Sequence, residues 1–235
     1  MITRTPLPTP GSGDEAGGAL IDAHWNNPVA SAGMEDLIEP KIYLASRSVR
    51  RCTLLREAGI EHEVVDADID DGELRYTGVD AASWVIALAY LKARAGLDAI
   101  AGDGRALVIG ADTVCVLDEE VLGQPADRGE AARMIERFQG RSHAVLSGVA
   151  LLDARSGQRE VFAVRADVTL GELDPAEVGR YLDSDEWRGK AGGYNYTDRV
   201  AAGWPLACDG DETAVVGLPM NELRRRLANH LPTAA

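Results

Sequence analysis

The chain has 235 residues, with 24 Lys and Arg against 38 Asp and Glu, a formal net charge of −14 and a pI near 4.7. So acidic a surface repels phosphate backbones, which argues against nucleic-acid polymers and anionic membranes as partners. An apolar content of 46% is enough for an ordinary core, while 5% aromatics is too little for a base-stacking platform along a single strand.

In chain order, residues 1–38 read as a flexible N-terminal extension, with Pro6, Pro8, Pro10 and several glycines and no sustained apolar period. Residues 39–235 then form one domain. Residues 42–45 predict a buried strand that gives way to a helix capped by Ser48 and stopped at Gly59. A second strand is expected over 60–65, and a helix over 81–95 with Trp84, Leu88 and Leu91 on one face. Residues 107–110 make the best central strand and run on through Asp112 and Thr113 into 114–116. A turn at 118–120, a helix over 128–138 and a long hairpin, 143–152 and 159–170 around Ser156-Gly157, come next. Asp174-Pro175 starts a further helix, and residues 219–231 make the last one. The fold class is therefore α/β: a mixed central β-sheet flanked by helices, in two lobes with a cleft between them.

Cys52, Cys115 and Cys208 form no CxxC pair, the four histidines are scattered, and the start of the chain lacks the apolar run of a signal peptide. A soluble cytoplasmic protein is expected. P-loop, nucleophile-elbow, calcium-loop and dinucleotide fingerprints are all incomplete or missing.

Three segments carry chemistry. The first, Ser46-Arg47-Ser48-Val49-Arg50-Arg51, puts hydroxyls and three arginines where a strand becomes a helix, a natural phosphate cradle. In the second, Asp112 ends an apolar strand, where a carboxylate serves as a turn former, a metal ligand or a water-orienting base. The third is the run 186–194, in which Lys190 precedes Gly192 and Gly193; it reads either as a surface loop or as backbone that approaches a ligand closely.

Together and in order these segments resemble the Maf family of nucleoside triphosphate pyrophosphatases. Residues 44–51 match its LASxSxRR signature, 88–93 (LAYLKA) its Leu-Ala-x-x-Lys-Ala helix segment, and 111–114 its ADTVV core. Residues 122–125 (LGQP) match LGKP, 140–143 (GRSH) SGRxH, 189–194 (GKAGGY) GKAGxY and 216–219 VGLP. The resemblance spans about residues 41–231.

It implies hydrolysis of a nucleoside triphosphate between the α and β phosphates, with a divalent cation, Mg2+ or Mn2+. Ser46, Arg50, Arg51, Lys92 and Lys190 would neutralise about four negative charges on the substrate. Asp112 would act as general base and share the metal with Asp71, in the acidic stretch at 68–71 where the family carries a Glu. The expected partners are the nucleotide and, at most, a second copy of the chain in a homodimer. Gln124 stands in place of the LGKP lysine, and Thr197 in place of a glutamine tied to base choice, with Arg50 and Thr113 also at discriminating positions. One lost charged hydrogen bond costs about 1.5–3 kcal/mol, one to two decades in rate. The same departures motivate an alternative, a catalytically weak nucleotide-binding regulator like an inhibitor of septum formation.

Overall fold

Three long strands organise the molecule. The structure is a computed structural model that describes residues 20–25, 39–67, 69, 76, 79–100 and 102–230. Its strands are β1 (Leu20–Trp25), β2 (Lys41–Ala45), β3 (Glu63–Val64), β4 (Ala106–Leu117), β5 (Glu120–Leu122), β6 (Arg141–Asp153), β7 (Arg159–Leu170) and β8 (Leu206–Asp209). The helices are α1 (Val49–Glu57), α2 (Ala81–Ala99), α3 (Arg128–Phe138), α4 (Pro175–Asp183), α5 (Tyr196–Ala201), α6 (Glu212–Val216) and α7 (Met220–Leu227). The strands form one sheet in the order β1-β7-β6-β4-β2-β3, with β5 added to β4 and β8 to β7. Strand β2 runs parallel to β3 and β4, and the other pairs are antiparallel, so the sheet is mixed as expected.

Alternation along β4 shows how the layers form. Leu107, Ile109 and Ala111 enter a core with Leu55 of α1, Ala214 of α6 and Leu223 of α7. Ala106 and Val108 point to the other face, against Ala89 and Ala93 of α2. Farther along, Cys115 and Leu117 join a third core with Phe138 of α3, Tyr181 of α4 and Trp187. One strand thus passes from the core of one lobe into that of the next.

Helix α2 sits unusually close to the sheet. A Cβ at Gly110 would lie 2.2 Å from the Ala89 carbonyl oxygen, and one at Gly148 would lie 2.5 Å from the Val85 backbone. Small residues explain this approach and correct the expected face: α2 buries Ala82, Val85, Leu88, Ala89, Ala93 and Gly96, whereas Leu91 is 42% exposed. Gly110→Ala should therefore overpack the α2–β4 contact by about 3 kcal/mol, read as a lower urea midpoint at unchanged m-value. Wild-type stability in that variant would show that the helix has room to lift.

Other expectations changed in extent. Composition predicts an extension without regular structure over 1–38, yet Leu20–Trp25 pairs in register with residues 159–164 of β7. The strand expected over 60–65 shortens to Glu63–Val64, and the last helix to Met220–Leu227 behind Pro219. The hairpin turns as predicted, with Gly157 at φ 69°, and Ser48, Asp127 and Asp174 cap α1, α3 and α4. At the turn end of the hairpin, fully buried Arg226 of α7 bonds Glu160 at 2.9 Å and Glu222 at 2.6 Å. The ion pair ties α7 to the sheet and would be costly to break on one side only.

Candidate active site

The register of β4 creates the site. Its edge is covered by β2 as far as Gly110 and by β5 from Cys115 onward. Residues 111–114 lie between, with no strand of the described residues on that edge. A cavity opens there, lined by Arg50, Arg51, Lys92, Asp112, Thr113, Gln124 and Lys190 among others.

Alternation places neighbouring side chains on opposite faces of β4. Asp112 faces α2, where Lys92 Nζ donates to its Oδ1 at 2.7 Å, with the two side chains only 17% and 11% exposed. The close seat of α2 on Gly110 and Gly148 sets that distance. Thr113 faces the α1–α6 side, and its hydroxyl lies 2.7 Å from Ser147 Oγ, which donates to the Ala214 carbonyl.

Arg51 joins three separate segments. Its Nε donates to the Gly217 carbonyl at 2.8 Å, Nη1 to Ser46 Oγ at 3.0 Å and Nη2 to Thr113 Oγ1 at 3.2 Å. The sequence suggests a phosphate-neutralising cation, and the geometry adds a clamp between the loop after β2, strand β4 and the turn before α7. This contact also explains why residues 44–51 and 216–219 matter together. Arg50, one residue earlier on α1, lines both this cavity and an adjoining one that takes in Ser46 and Asp66. No described residue pairs with the Arg50 guanidinium.

Lys190 sits across the cavity, 3.8 Å from Asp198 Oδ2. Burial lowers its pKa from the ordinary lysine value, Asp198 opposes the shift, and the Arg50 charge adds to it. Four cations, Arg50, Arg51, Lys92 and Lys190, line the cavity against Asp112 as the one acidic side chain among its described lining residues, which favours an anionic ligand.

Of the residues expected from sequence, the structure gathers Arg50, Arg51, Lys92, Asp112, Thr113, Gln124 and Lys190 at one cavity, with Ser46 in the adjoining one. Thr197 is exposed on α5 and does not line the cavity; its neighbours Asn195, which caps α5, and Tyr196 do. Asp71 lies outside the described residues. Among those described, no three His, Cys, Asp or Glu side chains converge as a metal site.

Sequence reasoning passed over the apolar end of the cavity, built by Cys115, His143, Val145, Tyr194, Tyr196 and Val215. His143 and Tyr194 stand inside matched motifs that assign them no role. Burial pushes the Cys115 thiol up to about 12, so it is no nucleophile at neutral pH. A phosphatase working through a covalent cysteine intermediate is thereby disfavoured.

Comparison with known proteins adds an independent finding. Residues 41–230 match the sequence model of the family described as Maf-like protein. The dTTP/UTP pyrophosphatase of Pelotomaculum thermopropionicum is 42% identical over 183 residues, covering 78% of this chain and 93% of its own. That of Alkalilimnicola ehrlichii is 39% identical over 199 residues, covering 83% and 95%. A solved nucleoside-triphosphatase / dITP/XTP pyrophosphatase from Mycobacterium abscessus aligns at 21% identity over 57% of this chain and 75% of that one, with a TM-score of 0.36.

Proposed function

Because the chain belongs to the Maf-like protein family, we propose that it hydrolyses nucleoside triphosphates at the α–β phosphoanhydride, releasing a nucleoside monophosphate and pyrophosphate. The observation that carries this reading is the convergence of Arg50, Lys92 and Lys190 on Asp112 in a molecule of net charge −14. Relatives named for dTTP and UTP put those two nucleotides first among the substrates to assay.

In this reading Arg50 and Lys190 hold the triphosphate, and the hydroxyls of Ser46 and Ser48 with the N-terminus of α1 receive its far end. Asp112 orients a water toward the α phosphorus and takes its proton as the new P–O bond forms. The bond to the bridging oxygen then breaks, and pyrophosphate leaves with the electron pair. Lys92 holds the carboxylate in place through its 2.7 Å bond. Mg2+ or Mn2+ fits this donor set: such ions need only one or two carboxylates when substrate phosphates and water complete the shell. Asp112 keeps Oδ2 clear of its bond to Lys92, and Asp71 is the second expected ligand. When bound, the cation would supply neutralisation of charge developing on the leaving pyrophosphate.

Gln124 is exposed at the cavity rim, where a lysine would add a cation at little desolvation cost. Gln124→Lys should keep or raise activity, seen as a KM for UTP lowered by about two- to tenfold. A large loss instead would mean that the phosphate site has been rebuilt around glutamine.

The reading is tested by incubating purified protein and Mg2+ or Mn2+ with a panel of nucleoside triphosphates and assaying pyrophosphate. Release from at least one nucleotide, abolished in Asp112→Ala, is the expected result. Tight binding with background turnover across the panel would instead favour the regulator.

A further inference from the structure

The apolar end of the cavity contains a buried hydrogen bond that the phosphate chemistry does not use. Tyr194 Oη and His143 Nε2 lie 2.9 Å apart, both side chains line the cavity, and the imidazole stacks on Phe138 with ring centres 4.0 Å apart. His143 is 3% exposed and Tyr194 8%. The second imidazole nitrogen, Nδ1, is buried with no hydrogen-bond partner among the described residues.

That orphan nitrogen decides the direction of the bond. If Tyr194 donated to Nε2, the neutral ring would carry its proton on Nδ1, leaving a buried N–H with nothing to accept it. Orphaned buried N–H groups are among the rarest defects in folded proteins, and an unused lone pair is better tolerated. The favoured tautomer therefore keeps its proton on Nε2 and donates to the tyrosine. Burial, which lowers the His143 pKa to about 4, keeps the ring neutral at physiological pH against the opposing pull of Asp167. A hydroxyl whose oxygen is already engaged as acceptor has its own hydrogen left to donate.

We propose that Tyr194, oriented by His143, donates this hydrogen to a carbonyl oxygen of the bound nucleobase and so helps determine base specificity. The inference rests on the nucleotide reading above and extends it to the wall of the cavity that belongs to the Phe138 core. Asn195, next along, uses its side-chain oxygen to cap α5 at 3.4 Å and also lines the cavity, which leaves its amide hydrogens as a second donor at the same end. Two donors suit a base with carbonyl groups and disfavour one presenting an amino group in their place. His143 is in this scheme a positioning residue, since it acts through the tyrosine.

The test separates base from phosphate by comparing UTP with inorganic tripolyphosphate, which has no base. Dissociation constants of both are measured by calorimetry, and UTP turnover by pyrophosphate release. Tyr194→Phe should weaken UTP binding, and raise its KM, by about five- to thirtyfold. Its kcat and its tripolyphosphate affinity should stay within about twofold. His143→Gln, which restores an N–H near the position of Nε2, should retain most UTP affinity. His143→Leu should lose as much as Tyr194→Phe, and the double variant no more than either alone.

Equal weakening of UTP and tripolyphosphate by Tyr194→Phe, or no weakening of UTP, overturns the inference, and Tyr194→Phe alone suffices should His143→Leu fail to fold. If the wild type turns over UTP but Tyr194→Phe matches it, this proposal falls and the pyrophosphatase reading stands. If the wild type binds UTP with the predicted variant pattern but releases no pyrophosphate, the reverse holds. A wild type that binds tripolyphosphate but not UTP overturns this proposal, and the nucleotide panel then decides the pyrophosphatase reading by itself.

Discussion

Asp112→Asn should lower kcat for nucleotide hydrolysis by about 10²- to 10⁴-fold while nucleotide affinity stays the same or tightens. The substitution is nearly isosteric. Its amide oxygen can still accept from Lys92, so the 2.7 Å contact that seats the side chain against α2 survives in neutral form. What is removed is the ability to take a proton from water, together with a carboxylate charge that would help hold the cation, so affinity is compared without added metal. Losing one negative charge beside a triphosphate removes repulsion, which is why affinity should not fall. The check is steady-state pyrophosphate release together with nucleotide binding and a thermal melt. A kcat within tenfold of wild type, at normal stability, would assign the proton to another group.

The second large effect is expected at Arg51, through the fold as much as through charge. Arg51→Lys should cost about 2–3 kcal/mol of stability, lowering the melting midpoint by roughly 5–10 °C, and should raise KM as well. A lysine keeps the charge but cannot send three donors in three fixed directions. Ser46, Thr113 and the Gly217 carbonyl would share one mobile ammonium or turn to solvent. All three segments, the loop after β2, residues 111–114 of β4 and the turn at Gly217, line the cavity region, so loosening them should blunt its shape. Calorimetry of Arg51→Lys beside wild type measures this directly. An unchanged midpoint with a raised KM would make Arg51 a phosphate contact and nothing more.

How far the molecule was legible in its sequence depends on which interactions set each feature. Local signals held: Ser48 and Asp174 cap helices because their short side chains reach backbone N–H groups within three residues, and Gly157 adopts the turn it was expected to make. The face of α2 did not follow its largest apolar side chains. It was decided by Gly110 and Gly148 on β4 and β6, whose missing side chains admit the helix backbone, a fact about two other segments. Edge strand β1 was hidden because a proline-rich context masks a short segment whose pairing partner lies far along the chain.

The same division runs through the site. Cations and Asp112 were visible because charge in an acidic chain is conspicuous and falls in motifs of fixed spacing. Their convergence was not, since it needs the gap between β2 and β5 on the edge of β4. The dual part played by Arg51 emerges only when the turn at Gly217 is brought beside it. His143 and Tyr194 lie in different motifs, and nothing in either segment reveals that their polar atoms meet at 2.9 Å. Thr197 illustrates the opposite failure: a position inferred by motif alignment projects to solvent, while Asn195 and Tyr196 beside it reach the cavity.

The central claim is that the cavity at residues 111–114 of β4 cuts a triphosphate between its α and β phosphorus atoms. The most direct measurement is the product balance from UTP and Mg2+, resolved by ³¹P NMR during the first turnovers. One UMP and one pyrophosphate per UTP consumed, with no UDP and no orthophosphate, is the predicted result. Stoichiometric UDP and orthophosphate would contradict the account.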